Sequence, residues 1–265
     1  MKKFLNDIRS AENPISGNRK IINTIAVLFL GIALGTFSKF LDFRQAELPS
    51  VLMAIDGALD VHNFLGRFAI WVLIALCISI YSNSATRASV NVFAFFAGMV
   101  ASYYLYSNYV AGFFPRSYAM IWFGFTMISP FLAFVCWYAK GKSRPAFMLS
   151  VLILAVLFNM TFVYGWGYFE ARSVLELIVF IIGLTVLRRD TLKSSVLMGT
   201  ISIVFAFLLD MVIPFHFGYT TSSVVLKIQL KSHNTNRCYM EANKPCNSGF
   251  LLPFFPLADR RSHFL

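Results

Sequence analysis

Five ionisable residues stand inside or at the edge of long apolar runs: Lys39, Asp42, Arg67, Glu176 and Asp210. Lys39 and Asp42 close the first run, Arg67 opens the second, Glu176 falls in the first turns of the sixth, and Asp210 comes one turn before the end of the seventh. Charge within an apolar run costs a few kcal/mol if unpaired, so such residues pair or line polar sites. Two kinds of chemistry fit them. They can hold helices in register as ion pairs, or they can line a pocket for a small polar solute. Arg172 and Glu176 are one turn apart and spaced to pair. Arg67 is placed to bridge Glu176 or Asp210 if their helices adjoin.

Aromatic side chains accompany these charges. Tyr103, Tyr104, Tyr106 and Tyr109 end the third run, Tyr118 and Trp122 begin the fourth, and Tyr164, Trp166 and Tyr168 follow the fifth. An interfacial aromatic belt accounts for most of them, while Tyr104 and Trp71 are the two placed to line a cavity. Catalytic signatures are absent from the sequence. There is no H-E-x-x-H, no G-x-S-x-G and no phosphate-cradling Gly-rich loop. His62, His216, His233 and His263 are scattered, Cys77 and Cys136 lie within apolar runs, and Cys238 and Cys246 make a weak disulfide argument. The expectation is therefore no metal, no cofactor and no enzymatic activity, with an enzyme acting on lipids as the third-ranked alternative.

The elements that must position these residues are membrane helices. The chain is 58% hydrophobic and only 13% charged, against roughly a quarter charged in soluble domains. Runs near the roughly twenty residues that span a bilayer occur at Ile21–Phe40, Leu65–Tyr81, Val90–Val110, Ala119–Ala139, Ala146–Trp166 and Ser195–Pro214. A further run, Val174–Leu187, reaches that length only if its helix starts near Tyr168. The pattern predicts an all-α bundle of about seven transmembrane helices over residues 21–217. Residues 1–20 then form a cytoplasmic segment, because Lys and Arg crowd the N-terminus and the loops around Arg87, Lys140 and Arg188. The carboxylates gather at the opposite, outer side. The net charge of +11 follows from that bias, and no continuous basic face suggests nucleic acid. Leu48, Leu52, Ile55 and Leu59 recur at helical spacing and predict a short amphipathic helix near 49–61. Ser129-Pro130 and Asn159 are the polar interruptions within spans. Past residue 217 the pattern stops, and 218–265 reads as a polar, disordered tail.

Gly31, Gly35, Ser38 and Asp42 form a small, polar stripe on the first helix, with the two glycines suited to close helix packing. The stretch Gly31-Ile-Ala-Leu-Gly-Thr-Phe-Ser-Lys-Phe-Leu-Asp42, with Asn63-Phe-Leu-Gly-Arg-Phe-Ala-Ile-Trp71 and Tyr103-Tyr104, resembles a group of functionally uncharacterised multi-pass membrane proteins of Gram-positive bacteria. The resemblance covers about residues 20–217 and implies a bacterial plasma membrane. A looser likeness is to the substrate-capture subunits of energy-coupling-factor vitamin transporters. It implies solute binding near the outer face and a membrane-protein partner docked on the first helix through Gly31 and Gly35. The expected function is a solute-binding or transport-related component. The alternative is a structural or regulatory membrane protein that binds other helices.

Overall fold

The computed structural model describes residues 2–11, 16–44, 48–165 and 167–212; the tail expected over 218–265 lies outside the described residues. Ten helices and one hairpin are described: α1 (Lys2–Ile8), α2 (Gly17–Phe43), α3 (Ser50–Leu59), α4 (Val61–Gly66), α5 (Phe68–Ile80), α6 (Ala85–Tyr109), α7 (Arg116–Trp137), α8 (Arg144–Thr161), β1 (Phe162–Gly165), β2 (Tyr168–Ala171), α9 (Val174–Val186) and α10 (Leu192–Val212). A 3-10 turn, Tyr138–Lys140, prolongs α7. Helices α2, α6, α7 with its 3-10 turn, α8 and α10 are long and apolar enough to cross a membrane. Their outward faces are apolar, with Phe29, Met127, Phe131 and Met211 each more than 60% exposed. Water would penalise such a surface, whereas lipid matches it.

Helix α5 lies at the centre, in contact with α6, α7, α8 and α9, while α2 packs along α6, and α10 along α8. The α2–α6 pair is close because small residues face each other. A Cβ on Gly31 would lie 2.2 Å from the Phe95 carbonyl oxygen, one on Gly35 2.3 Å from that of Met99, and one on Gly98 2.6 Å from that of Leu28. The glycine stripe thus packs against this chain's own α6.

Three expectations are corrected. The sixth apolar run does not extend its helix back to Tyr168. Residues Phe162–Gly165 and Tyr168–Ala171 form an antiparallel hairpin instead, with Tyr164 opposite Phe169. The physical reason lies in the sequence: Phe, Val and Tyr favour strands, and Gly167 supplies the positive φ of 84° that the tight turn needs. The fifth run accordingly ends as a helix at Thr161. The row Leu48, Leu52, Ile55 and Leu59 is also split. Leu48 is buried, Ile55 and Leu59 are exposed, and Asp56 on α3 turns inward.

The polar interruptions inside the spans are satisfied locally. Pro130 lacks the N–H that would bond the Thr126 carbonyl, and the Ser129 hydroxyl donates to that oxygen at 2.8 Å. The Pro130 carbonyl accepts from Ser89 of α6 at 2.8 Å. Asn159 donates to the Ala206 carbonyl of α10 at 3.0 Å and accepts from the Tyr164 hydroxyl at 2.8 Å.

Candidate functional site

The N-termini of α5 and α9 meet at one end of the bundle. Ser173 caps α9 by accepting from the Glu176 N–H at 3.4 Å, and its hydroxyl donates back to the Glu176 carboxylate. The spacing is that of a Ser-x-x-Glu capping box, and it aims the carboxylate across to α5. There Arg67, the residue before α5, donates to it at 2.6 Å. The Glu176 side chain is wholly buried, whereas that of Arg67 is 31% exposed. Of the two partners open to Arg67, the fold takes Glu176. Its second carboxylate neighbour is Asp60 at 3.6 Å. Asp210 lies near the end of α10, beside Leu209, which packs on the cluster of Ala155, Phe158, Tyr164 and Ala206.

Asp60 takes the left-handed conformation, φ 54° and ψ 46°, at the break between α3 and α4. Asp tolerates that conformation better than most residues, and its carboxylate accepts from Asn63 at 2.7 Å. On the same segment Asp56 accepts from the His62 backbone N–H and lies against the His62 ring Nδ1, each at 2.8 Å. This Asp56–His62 pair went unread in the sequence. Its signal was two polar residues six apart, flanking a helix break.

Lys39 and Asp42 form a separate pair within α2. The Lys39 ammonium is 2.6 Å from Asp42 and lies over the rings of Phe113 (4.7 Å) and Tyr103 (5.4 Å). Lys39 is buried although half of the Asp42 side chain is exposed. The cation–π contacts take over where the carboxylate is only partly available.

Between these two pairs lies an aromatic chamber. Ser38, Trp71, Tyr103, Tyr104, Tyr118 and Trp122 line it, with Leu65, Gly66, Met99 and Val100. Trp71 is fixed by a 2.9 Å bond to the Leu65 carbonyl, and Phe68 stacks on Trp122 at 4.6 Å. Tyr118 closes the mouth by donating to the Gly66 carbonyl at 3.2 Å. The free space is about 20 Å³, room for a single water. Tyr104 is 4% exposed, and among the described residues its hydroxyl has no hydrogen-bond partner. A buried hydroxyl without a partner costs about 1–3 kcal/mol, so this group asks for something polar in the chamber. Among the described residues no three of His, Cys, Asp and Glu converge in a way that would hold a metal.

The other end of the bundle collects helix C-termini and cations. Arg9 donates to the Ile80 carbonyl ending α5 (3.1 Å) and to the Trp137 carbonyl ending α7 (2.8 Å), with its guanidinium 4.3 Å over the Trp137 ring. Lys140 donates to the Val186 carbonyl ending α9 at 2.7 Å. Arg189 reaches the carbonyls of Gly141 and Ala139 and the Ser150 hydroxyl. Burial lowers the Arg189 pKa from its ordinary value, with Asp190 opposing the shift. Helix C-termini carry partial negative charge, so each cation sits where the dipole favours it. In the sequence these residues read as loop charges, and nothing in their spacing marks the bonds.

No family model, curated protein or solved structure matches this chain.

Proposed function

We propose that the chain is a seven-span membrane protein of the bacterial plasma membrane, with its basic end in the cytoplasm and the aromatic chamber facing out. In this reading α5 is entered through α4, and α9 from the hairpin. It is a solute-binding or transport-related component without enzymatic activity of its own. The solute is small, polar and not strongly charged, because the chamber offers aromatic faces and hydroxyls and no free charge. The observation that carries the reading is the buried, unpartnered Tyr104 hydroxyl among Trp71, Tyr103, Tyr118 and Trp122. Arg67, Glu176, Lys39 and Asp42 are then supports for the chamber walls, and release of the Tyr118–Gly66 bond opens it.

The test is a panel of small polar solutes added to purified protein, read by thermal stabilisation and tryptophan fluorescence. A solute that shifts both signals in wild type and neither in Tyr104→Phe supports the reading. A panel without a hit, or a hit indifferent to Tyr104→Phe and Trp71→Phe, counts against it.

The second reading is a structural or regulatory protein acting through helix partners. The saturation of Arg67 and Glu176 by each other, Ser173 and Asp60 favours it. Under that reading the partner meets the exposed apolar faces of α2, α7 or α10 rather than the glycine stripe.

A further inference from the structure

A second, larger cavity opens at the basic end, between the start of α2, the end of α5 and the start of α6. Its volume is about 660 Å³, and Lys20, Asn23, Ile78, Ser82, Arg87 and Asn91 are among its walls. That is the size of a ligand site. Among the described residues its charged walls are Lys20 and Arg87. Arg87 ties α2 to α6 through Nη2 alone, which donates to the Lys20 carbonyl (2.6 Å), Thr24 Oγ1 (2.5 Å) and Asn91 Oδ1 (3.3 Å). Its Nε and Nη1 take no part in these bonds. The Lys20 ammonium has no partner among the described residues, and Lys20 enters hydrogen bonds only through its backbone.

The wall changes character along α2. Lys20 and Asn23 are polar, Ala26 and Val27 are apolar cavity residues, and Leu30, on the same helix face, is 44% exposed. The change from cation to hydrocarbon takes about ten residues, or roughly 15 Å of helix. Lys20 lies in the first turn of a helix long and apolar enough to span, so the cations lie at headgroup depth. A free anion needs the cations but not the apolar wall, whereas an amphiphile uses both. Basic pockets between membrane helices are suited to phosphate headgroups.

We infer that this cavity seats the phosphate headgroup of an anionic membrane lipid, with Lys20 and Arg87 contacting the phosphate and the Ala26–Leu30 face of α2 carrying the acyl chain. The inference does not depend on the aromatic chamber, which lies at the other end.

The test uses the full-length protein, delipidated in neutral detergent and titrated with phosphatidylglycerol, phosphatidylcholine or inorganic phosphate under native mass spectrometry. Phosphatidylglycerol binds at least about tenfold more tightly than phosphatidylcholine, and Lys20→Glu weakens it at least about fivefold. Lys142 is exposed at the same end but outside the cavity, and Lys142→Glu leaves binding within about twofold. Arg87 also holds α2 to α6, so Lys20→Glu is the deciding variant, and a melting curve matching wild type checks that it folds. Equal losses in the two Lys variants overturn the inference, because diffuse attraction to a basic surface then suffices. So does the lack of a preference for phosphatidylglycerol. Inorganic phosphate binding as tightly as the lipid overturns the assignment to a lipid.

Discussion

At the start of α5 the guanidinium of Arg67 meets a wholly buried carboxylate, Glu176. At the end of the same helix the guanidinium of Arg9 meets carbonyl oxygens, those of Ile80 and Trp137. α9 repeats the contrast, with Glu176 in its first turn and its last carbonyl, that of Val186, held by Lys140. Glu176 and the cations at the basic end stand where a helix dipole favours them, whereas Arg67, at the positive N-terminus of α5, relies on Glu176, and the consequences of losing a partner differ. An ion pair is mutual, so removing one member strands the other in a medium that penalises it. A carbonyl that loses a capping cation loses a favourable contact, and at the membrane edge water can replace it. The Arg67–Glu176 pair is therefore intolerant of substitution. The basic end is spread over several cations, each replaceable at smaller cost.

The largest effect that would test this contrast is at the pair. Glu176→Ala is expected to destabilise by about 3–5 kcal/mol, measured by reversible unfolding in mixed micelles, while Arg67→Met with Glu176→Leu recovers much of the loss. Failure of that double variant to recover would show that packing, and not a stranded charge, sets the cost. Next comes Arg189→Ala at the basic end, which removes bonds to two carbonyls and one hydroxyl. Its expected cost is about 1.5–3 kcal/mol; a loss as large as that of Glu176→Ala would erase the difference between the ends. Tyr104→Phe has the opposite sign. Deleting an unpartnered buried hydroxyl should raise stability by about 1 kcal/mol, seen as a higher melting temperature without solute. Asp42→Asn is the smallest, below about 1 kcal/mol, because half of that side chain is exposed and Lys39 keeps its two rings. Added salt should blunt the Asp42 effect and leave the Glu176 effect unchanged.

What the sequence discloses follows from how each feature contrasts with its surroundings. Glu176 and Arg67 are conspicuous because they interrupt apolar runs, whereas a helix started near Tyr168 hides the Ser173 cap that aims the carboxylate. The long helices α2, α6, α7, α8 and α10 are legible from length and hydropathy. Trp71 and Tyr104 are legible as cavity candidates from their depth. The basic end is hidden because Lys and Arg are expected beside membrane helices in any case, so nothing in their spacing reveals that Arg9 and Arg189 bond to particular carbonyls. The hairpin is hidden for another reason. Phe162–Gly165 is as apolar as the helix it follows, and only the Gly-Trp-Gly turn and the alternation of aromatic residues separate a strand from one more helical turn. Asp42, Arg67, Glu176 and Asp210 read as one outer cluster because a sequence gives depth but no azimuth. The fold joins Arg67 to Glu176, leaves Asp42 with Lys39, and sets Asp210 in the part of the bundle where α10 packs beside Tyr164.

The most direct test of the central claim is a double-mutant cycle on Arg67 and Glu176, with Arg67→Ala, Glu176→Ala and the double variant unfolded under the same conditions. The expected coupling energy is at least about 2 kcal/mol, the double variant being much less destabilised than the sum of the singles. Additivity within about 0.5 kcal/mol would contradict it, since the two charges would then not be holding α5 to α9.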